Sequence, residues 1–195
     1  MEKKPYHHGD LRNKLIERGI EMLSEEGAQD FSLRKLAAKC GVSHTAPYSH
    51  FESVDKLRQA MGEHVAHQFM EKLRGSVQHA EDSTAAVTSL GKAYISFFSE
   101  NPLYFQFLFY HSGLSIDFDE KTQSDYQPFT FFKETAYRMF DALGLPKEDY
   151  LNNLIALWSM VHGIASLLTN KGVRYSGDWS EVLSNNTIFA RRKEF

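Results

Sequence analysis

Apolar residues recur at three- and four-residue spacing along almost the whole chain, and no run of alternating apolar and polar residues is closed by a two-residue glycine turn. Strands have no foothold in such a pattern. Helices, each with one apolar stripe to bury, must cover one another instead, so the sequence predicts an all-α fold. The first stripe, in the segment Asp10 to Glu26, carries Leu11, Leu15, Ile16, Ile20 and Leu23 and stops at Gly27. Ser32 is the expected N-cap of the next helix, with Phe31 before it and Leu36 at its fourth position, the arrangement of a hydrophobic staple. Leu33, Leu36, Ala37 and Cys40 make that helix's apolar face, and Gly41 closes it. Ser43 is read as the cap of a very short third helix to about His50, with Pro47 at its fourth position. Ser53 caps a longer helix to about Arg74.

Further helices are expected at Thr84 to Ser99, Pro102 to Tyr110, about Phe129 to Leu143, about Lys147 to Lys171, and Trp179 to about Arg191. Asp178 and Glu181 make a start resembling a capping box for the last. Gly113 to Gln127 reads as a loop. The division expected is a helix-turn-helix domain over 1–60, with a basic arm over 1–9, and a helical bundle over 61–195.

The single cysteine, Cys40, leaves no intrachain disulfide to stabilise a small fold, and the apolar content suffices for a core without one. The first ten residues carry charge with no apolar stretch behind them, so no secretory leader is expected and a cytoplasmic location is the reading. Leu151 to Leu168 is the segment nearest in composition to a membrane span. It contains Asn152, Asn153, Ser159, His162 and Ser166, which favours a buried helix of a soluble bundle. The net charge of -3 does not itself point to nucleic acid. The first sixty residues are near balance and the remainder holds the acidic excess, so any DNA contact must come from a local surface.

Two short helices joined by Gly41-Val42-Ser43 and resting on an amphipathic first helix match a helix-turn-helix, and they equally match a helical hairpin that merely packs. In the first case His44, Thr45, Tyr48 and Ser49 face away from the apolar stripe, toward DNA. The amides at the start of the short helix, beside Ser43, would suit a phosphate.

The run KLIERGIEMLSEEGAQDFSLRKLAAKCGVSHTAPYSHFESVDKL, Lys14 to Leu57, resembles the DNA-binding domain of the tetracycline-repressor (TetR) family. The features are its Leu-Ile start, Phe-Ser, Leu-Ala and GVS followed by Tyr48-Ser49-His50-Phe51. Ala46-Pro47-Tyr48 is similar to one subtype of the recognition helix, and Trp158, His162 and Gly163 look like the Trp-His-Gly signature of one class of C-terminal domain. The resemblance implies an omega-shaped homodimer on double-stranded operator DNA, joined by the last two long helices of each subunit. It also implies DNA contacts from Thr45, Tyr48 and His50, supported by Ser32 and Arg34. At the start of the fourth helix, Val54 stands where the family usually has a lysine; Lys56, from the next turn, is the candidate replacement. Lys3, Lys4, His7, His8 and Arg12 form an arm that reads either as a groove or phosphate contact or as a solvated terminus.

Aromatic residues crowd the chain between Phe97 and Phe140. Most must be core, yet rigid rings also leave gaps that suit a small apolar or aromatic ligand, and the resemblance implies a sensor domain. The candidate pocket residues are Phe98, Phe105, Phe109, Phe132, Trp158 and His162. For Trp158 and His162 a second reading is preferred, in which the tryptophan is core and the histidine is a satisfied group at a helix interface where Gly163 permits close approach. No Glu-x-x-His motif supports a di-metal enzyme, His64, His67 and Glu71 are a spacing common by chance, and neither a cofactor nor enzymatic activity is expected. The competing class is a protein-interaction module that keeps the fold without binding DNA, favoured by Val54 and the near-neutral first sixty residues.

Overall fold

A computed structural model describes residues 8–29, 31–118 and 126–184. Among these residues every regular element is helical. The α-helices are α1 (His8–Glu26), α2 (Leu33–Cys40), α3 (Val54–Val77), α4 (Ser83–Glu100), α5 (Pro102–Tyr110), α6 (Gln127–Ala142), α7 (Tyr150–Thr169) and α8 (Trp179–Ser184). Two 3-10 turns, Ala46–Ser49 and Lys147–Asp149, stand between them. The chain divides into two compact units, one of 1–65 with 106–114 and one of 66–105 with 115–195; α3 and α5 each cross from one to the other.

In the first unit the apolar stripe of α1 supplies the floor: Leu15, Ile16, Ile20 and Leu23 are sealed from solvent, as are Leu36 and Ala37 of α2. Each large side chain so buried contributes about 1.5–3 kcal/mol against exposure. The ends of α2 are set locally. Ser32 Oγ accepts the Lys35 amide at 3.2 Å, a cap worth about 0.5–2 kcal/mol. Gly41 leaves the helix at φ 70° with its N–H on the Ala38 carbonyl, and Val42 donates to Ala37. No neighbour crowds Gly41, so the left-handed backbone alone requires glycine there.

The third helix departs from the expectation. It is a 3-10 turn of four residues beginning at Ala46, with Thr45 rather than Ser43 at the N-cap position and no side-chain cap hydrogen bond, and Pro47 falls in its first two positions. Pro47 has no N–H to return to the Ser43 carbonyl, so the Ala46 amide takes that acceptor at 3.0 Å and Tyr48 donates to Thr45 at 3.2 Å, both three residues back. Ser43 Oγ lies 3.2 Å from Thr45 Oγ1. Ser53 does cap α3, accepting the Lys56 amide at 3.2 Å, and that helix runs three residues past the expected Arg74.

In the second unit α4 packs against α6, α7 and α8. Asp82 rather than Thr84 begins α4, its carboxylate accepting the Ala85 amide at 2.7 Å. The expected Lys147 to Lys171 helix is split into the 3-10 turn and α7, which ends at Thr169. By length and composition this stretch could cross a membrane; here Leu154, Leu157, Trp158, Val161, Ile164 and Ala165 are buried, with α4 and α6 packed on the helix. Asp178 accepts the Ser180 amide at 2.7 Å and starts α8. The expected end near Arg191, the arm residues Lys3, Lys4 and His7, and 119–125 of the expected loop lie outside the described residues.

Within the chain, close helix approach belongs to Gly91 rather than Gly163. A Cβ on Gly91 would stand 2.6 Å from Leu183 Cδ2 of α8 and 3.4 Å from Val161 Cγ1, whereas one on Gly163 meets nothing within 4 Å. Gly91→Val is therefore expected to unseat α8, at the roughly 1–3 kcal/mol typical of overpacking. For a chain this long that lowers the melting temperature by about 5 °C. A valine variant melting with the wild type in a circular-dichroism scan would show that α8 does not bear on α4.

Candidate nucleic-acid interface and sensor cluster

The reading element of the first unit has a buried base and an open outer surface. Pro47 is sealed and Phe51 is 4% exposed, while Ser43, His44, Thr45, Tyr48 and Ser49 are all exposed. Tyr48 stands 58% accessible. Ser49 Oγ donates to the Ala46 carbonyl at 2.7 Å, so its hydroxyl faces an outside partner as an acceptor. His50 is half-buried, its ring tilted 50° to Phe51 at 6.4 Å. Arg34 is exposed in the first turn of α2, and Ser32, half-buried at its cap, is already engaged by the Lys35 amide.

Lys56 is exposed in the first turn of α3, its Nζ 3.3 Å from Gln59 Oε1, a neutral partner that leaves the charge available. Val54 opens the same helix half-exposed. The nine sequence-read residues thus lie on or next to one short stretch of the first unit. The start of the third element is a four-residue 3-10 turn, and its Ala46 and Tyr48 amides are bonded to the Ser43 and Thr45 carbonyls.

In the second unit Phe98, Phe105, Phe132, Trp158 and His162 come together around Tyr94. The rings meet edge to face: Tyr94 to Trp158 at 5.4 Å and 86°, Phe132 to Trp158 at 5.3 Å and 84°, Phe98 to Phe105 at 5.2 Å and 84°. Phe109 lies in 106–114, which belongs to the first unit. Tyr94, which the sequence reading passed over, is fully buried and stands 3.1 Å from His162 Nδ1. Its i, i+4 spacing to Phe98 on α4 was the available signal. Burial lowers the His162 pKa and raises that of Tyr94 well above the phenol range, so both groups are neutral near pH 7. Burial likewise pushes the Cys40 thiol up, away from thiolate reactivity. Among the described residues no three His, Cys, Asp or Glu side chains gather as metal ligands.

A helix-turn-helix with a buried base and an exposed outer row of polar and aromatic side chains, joined to a helical second unit built around an aromatic cluster, defines a DNA-binding regulator. Residues 15–61 match the family model described as bacterial regulatory proteins, tetR family, and residues 87–185 match the one described as tetracyclin repressor-like, C-terminal domain. The chain belongs to the TetR family of transcriptional regulators. Over 92 residues it is 29% identical to the nucleoid occlusion factor SlmA of Aliivibrio fischeri, a match covering 47% of each chain. The chain thus spans about half the length of the curated relatives it matches. Its fold is similar to a protein of unknown function from Rhodococcus sp. RHA1, with a TM-score of 0.71 and 25% identity over 94% of both chains. It is also similar to a putative transcriptional regulator from Pseudomonas aeruginosa PAO1, with a TM-score of 0.73 and 18% identity over 92% of this chain and 89% of that one.

Proposed function

We propose that this regulator is a ligand-responsive repressor that binds a palindromic operator as a homodimer in the cytoplasm, with 1–60 as the DNA-binding part and 61–195 sensing and dimerising. The observation that carries the DNA half is the outward row His44, Thr45, Tyr48 and Ser49 on a sealed base. An apolar or aromatic small molecule is the ligand class, held among Phe98, Phe105, Phe132, Trp158 and His162.

The dimer rests on the outer face of α7. Asn152, Ile155, Ala156, Ser159 and Leu167 are exposed there at helical spacing, and the absent Cβ of Gly163 opens onto free space on the same face. Ile155 and Leu167 are 38% and 47% accessible. A face of small and apolar residues suits a second copy of itself across a two-fold axis, and two-fold protein symmetry requires a two-fold operator.

Selection of duplexes from a random library, followed by salt titration of the winner, tests the reading. The enriched site should be palindromic and affinity should fall steeply with salt. Tyr48→Ala should weaken operator binding about tenfold to a hundredfold, the equivalent of roughly 1.5–3 kcal/mol for a hydrogen bond to a charged phosphate, without moving the melting temperature. Thr45→Ala should instead relax which base is preferred, since a base-edge contact carries about 1–3 kcal/mol of discrimination. An asymmetric site, or a Tyr48→Ala chain that binds as wild type, would defeat the proposal.

A further inference from the structure

Arg12 is exposed on α1, and its guanidinium carbon lies 5.4 Å from the centroid of the Phe51 ring. Phe51 is a fixed platform: it follows the recognition element directly, it is 4% exposed, and its N–H is bonded to the Pro47 carbonyl at 2.9 Å. A cation stacked on that ring is held at the C-terminal end of the row that faces DNA. Three other cations of this unit are paired with carboxylates, Arg18 with Glu21 at 2.5 Å, Arg58 with Asp55 at 3.4 Å, and Lys39 with Glu26, while Lys56 has only the neutral Gln59. Arg12 has no carboxylate within ion-pair distance among the described residues. A guanidinium held over a ring face still has N–H donors for another partner, in a fork that matches two oxygens of one anion.

We infer that Arg12, positioned by the Phe51 ring, binds a DNA phosphate beside the recognition element and anchors its register, a role that rests on the DNA-binding reading. The residues facing bases lie earlier in the element, and a planar five-donor fork is better matched to a phosphate than to a base edge at that end. Such a contact carries no sequence information.

The test uses the full chain and follows fluorescence anisotropy on both a selected operator and a random duplex. Arg12→Gln should make the slope of log affinity against log salt shallower by about 0.9 and weaken both duplexes by the same factor, about eightfold at 0.1 M salt. Arg18→Gln removes an equal charge from the same helix and should leave the slope unchanged. Arg12→Lys should keep the slope yet bind more weakly than wild type, because it restores the charge without the fork. Phe51→Leu should behave as Arg12→Lys does, the charge remaining without its platform. The inference is overturned if Arg12→Gln keeps the wild-type slope, if Arg18→Gln lowers it equally, or if the loss is confined to the operator. A wild-type chain with no salt-dependent binding to any duplex would bring down the DNA-binding reading and Arg12 with it.

Discussion

Leu167→Asp is expected to split the homodimer and to abolish operator binding with it. Leu167 is 47% accessible on the outer face of α7, so within one subunit the substitution meets water and should cost about 0.5 kcal/mol or less. In the proposed dimer the same position would be covered, and two-fold symmetry would introduce the charge twice. An unpaired buried charge costs roughly 3–5 kcal/mol. A dimer dissociation constant raised by about a hundredfold to several thousandfold follows from one such charge alone. Each monomer then holds a single half-site, and operator affinity falls toward the non-specific level, a loss of about a thousandfold or more. Light scattering at micromolar concentration, a thermal melt and operator titration read the three parts separately. A variant that remains dimeric would show that the interface lies elsewhere, and one that no longer folds would show that Leu167 belongs to the core of its own subunit.

Trp158→Ala tests what holds the second unit together. Trp158 is 6% exposed, with Tyr94, Phe129 and Phe132 edge-on at 5.4, 5.1 and 5.3 Å and His162 stacked at 14°. Removing an indole so enclosed leaves a cavity that its neighbours cannot fill, at a cost of about 3–5 kcal/mol. For a chain of this size that lowers the melting temperature by about 10 °C. Because an apolar cavity of that shape binds small aromatics, added indole should recover part of the loss. If Trp158 instead lines an existing pocket, alanine enlarges a space already open and the melting temperature should fall by only about 2–4 °C. The size of the shift therefore separates the two readings of this residue.

The Ser32 and Ser53 caps, the Gly41 stop and the outward set His44, Thr45, Tyr48 and Ser49 follow from the sequence alone. Each depends on residues at most four apart, whose geometry the backbone period imposes. Even the 3-10 form of the recognition element follows from Pro47, whose missing N–H acts on its own neighbours; it was misjudged through the choice of Ser43 as cap.

The partners of Trp158 are of another kind. Tyr94 and His162 are 68 residues apart and share a hydrogen bond; Gly91 makes room for Leu183; Arg12 rests on Phe51. Periodicity says which face of a helix is buried but not which helix covers it, since any apolar stripe satisfies another. Sequence by itself determined that the elements are helical, the caps at Ser32 and Ser53, the stop at Gly41 and the exposed row of the third element in this protein. Only tertiary packing, through steric fit between side chains far apart along the chain, decided which rings meet, that Gly91 admits α8 and that Arg12 stands over Phe51.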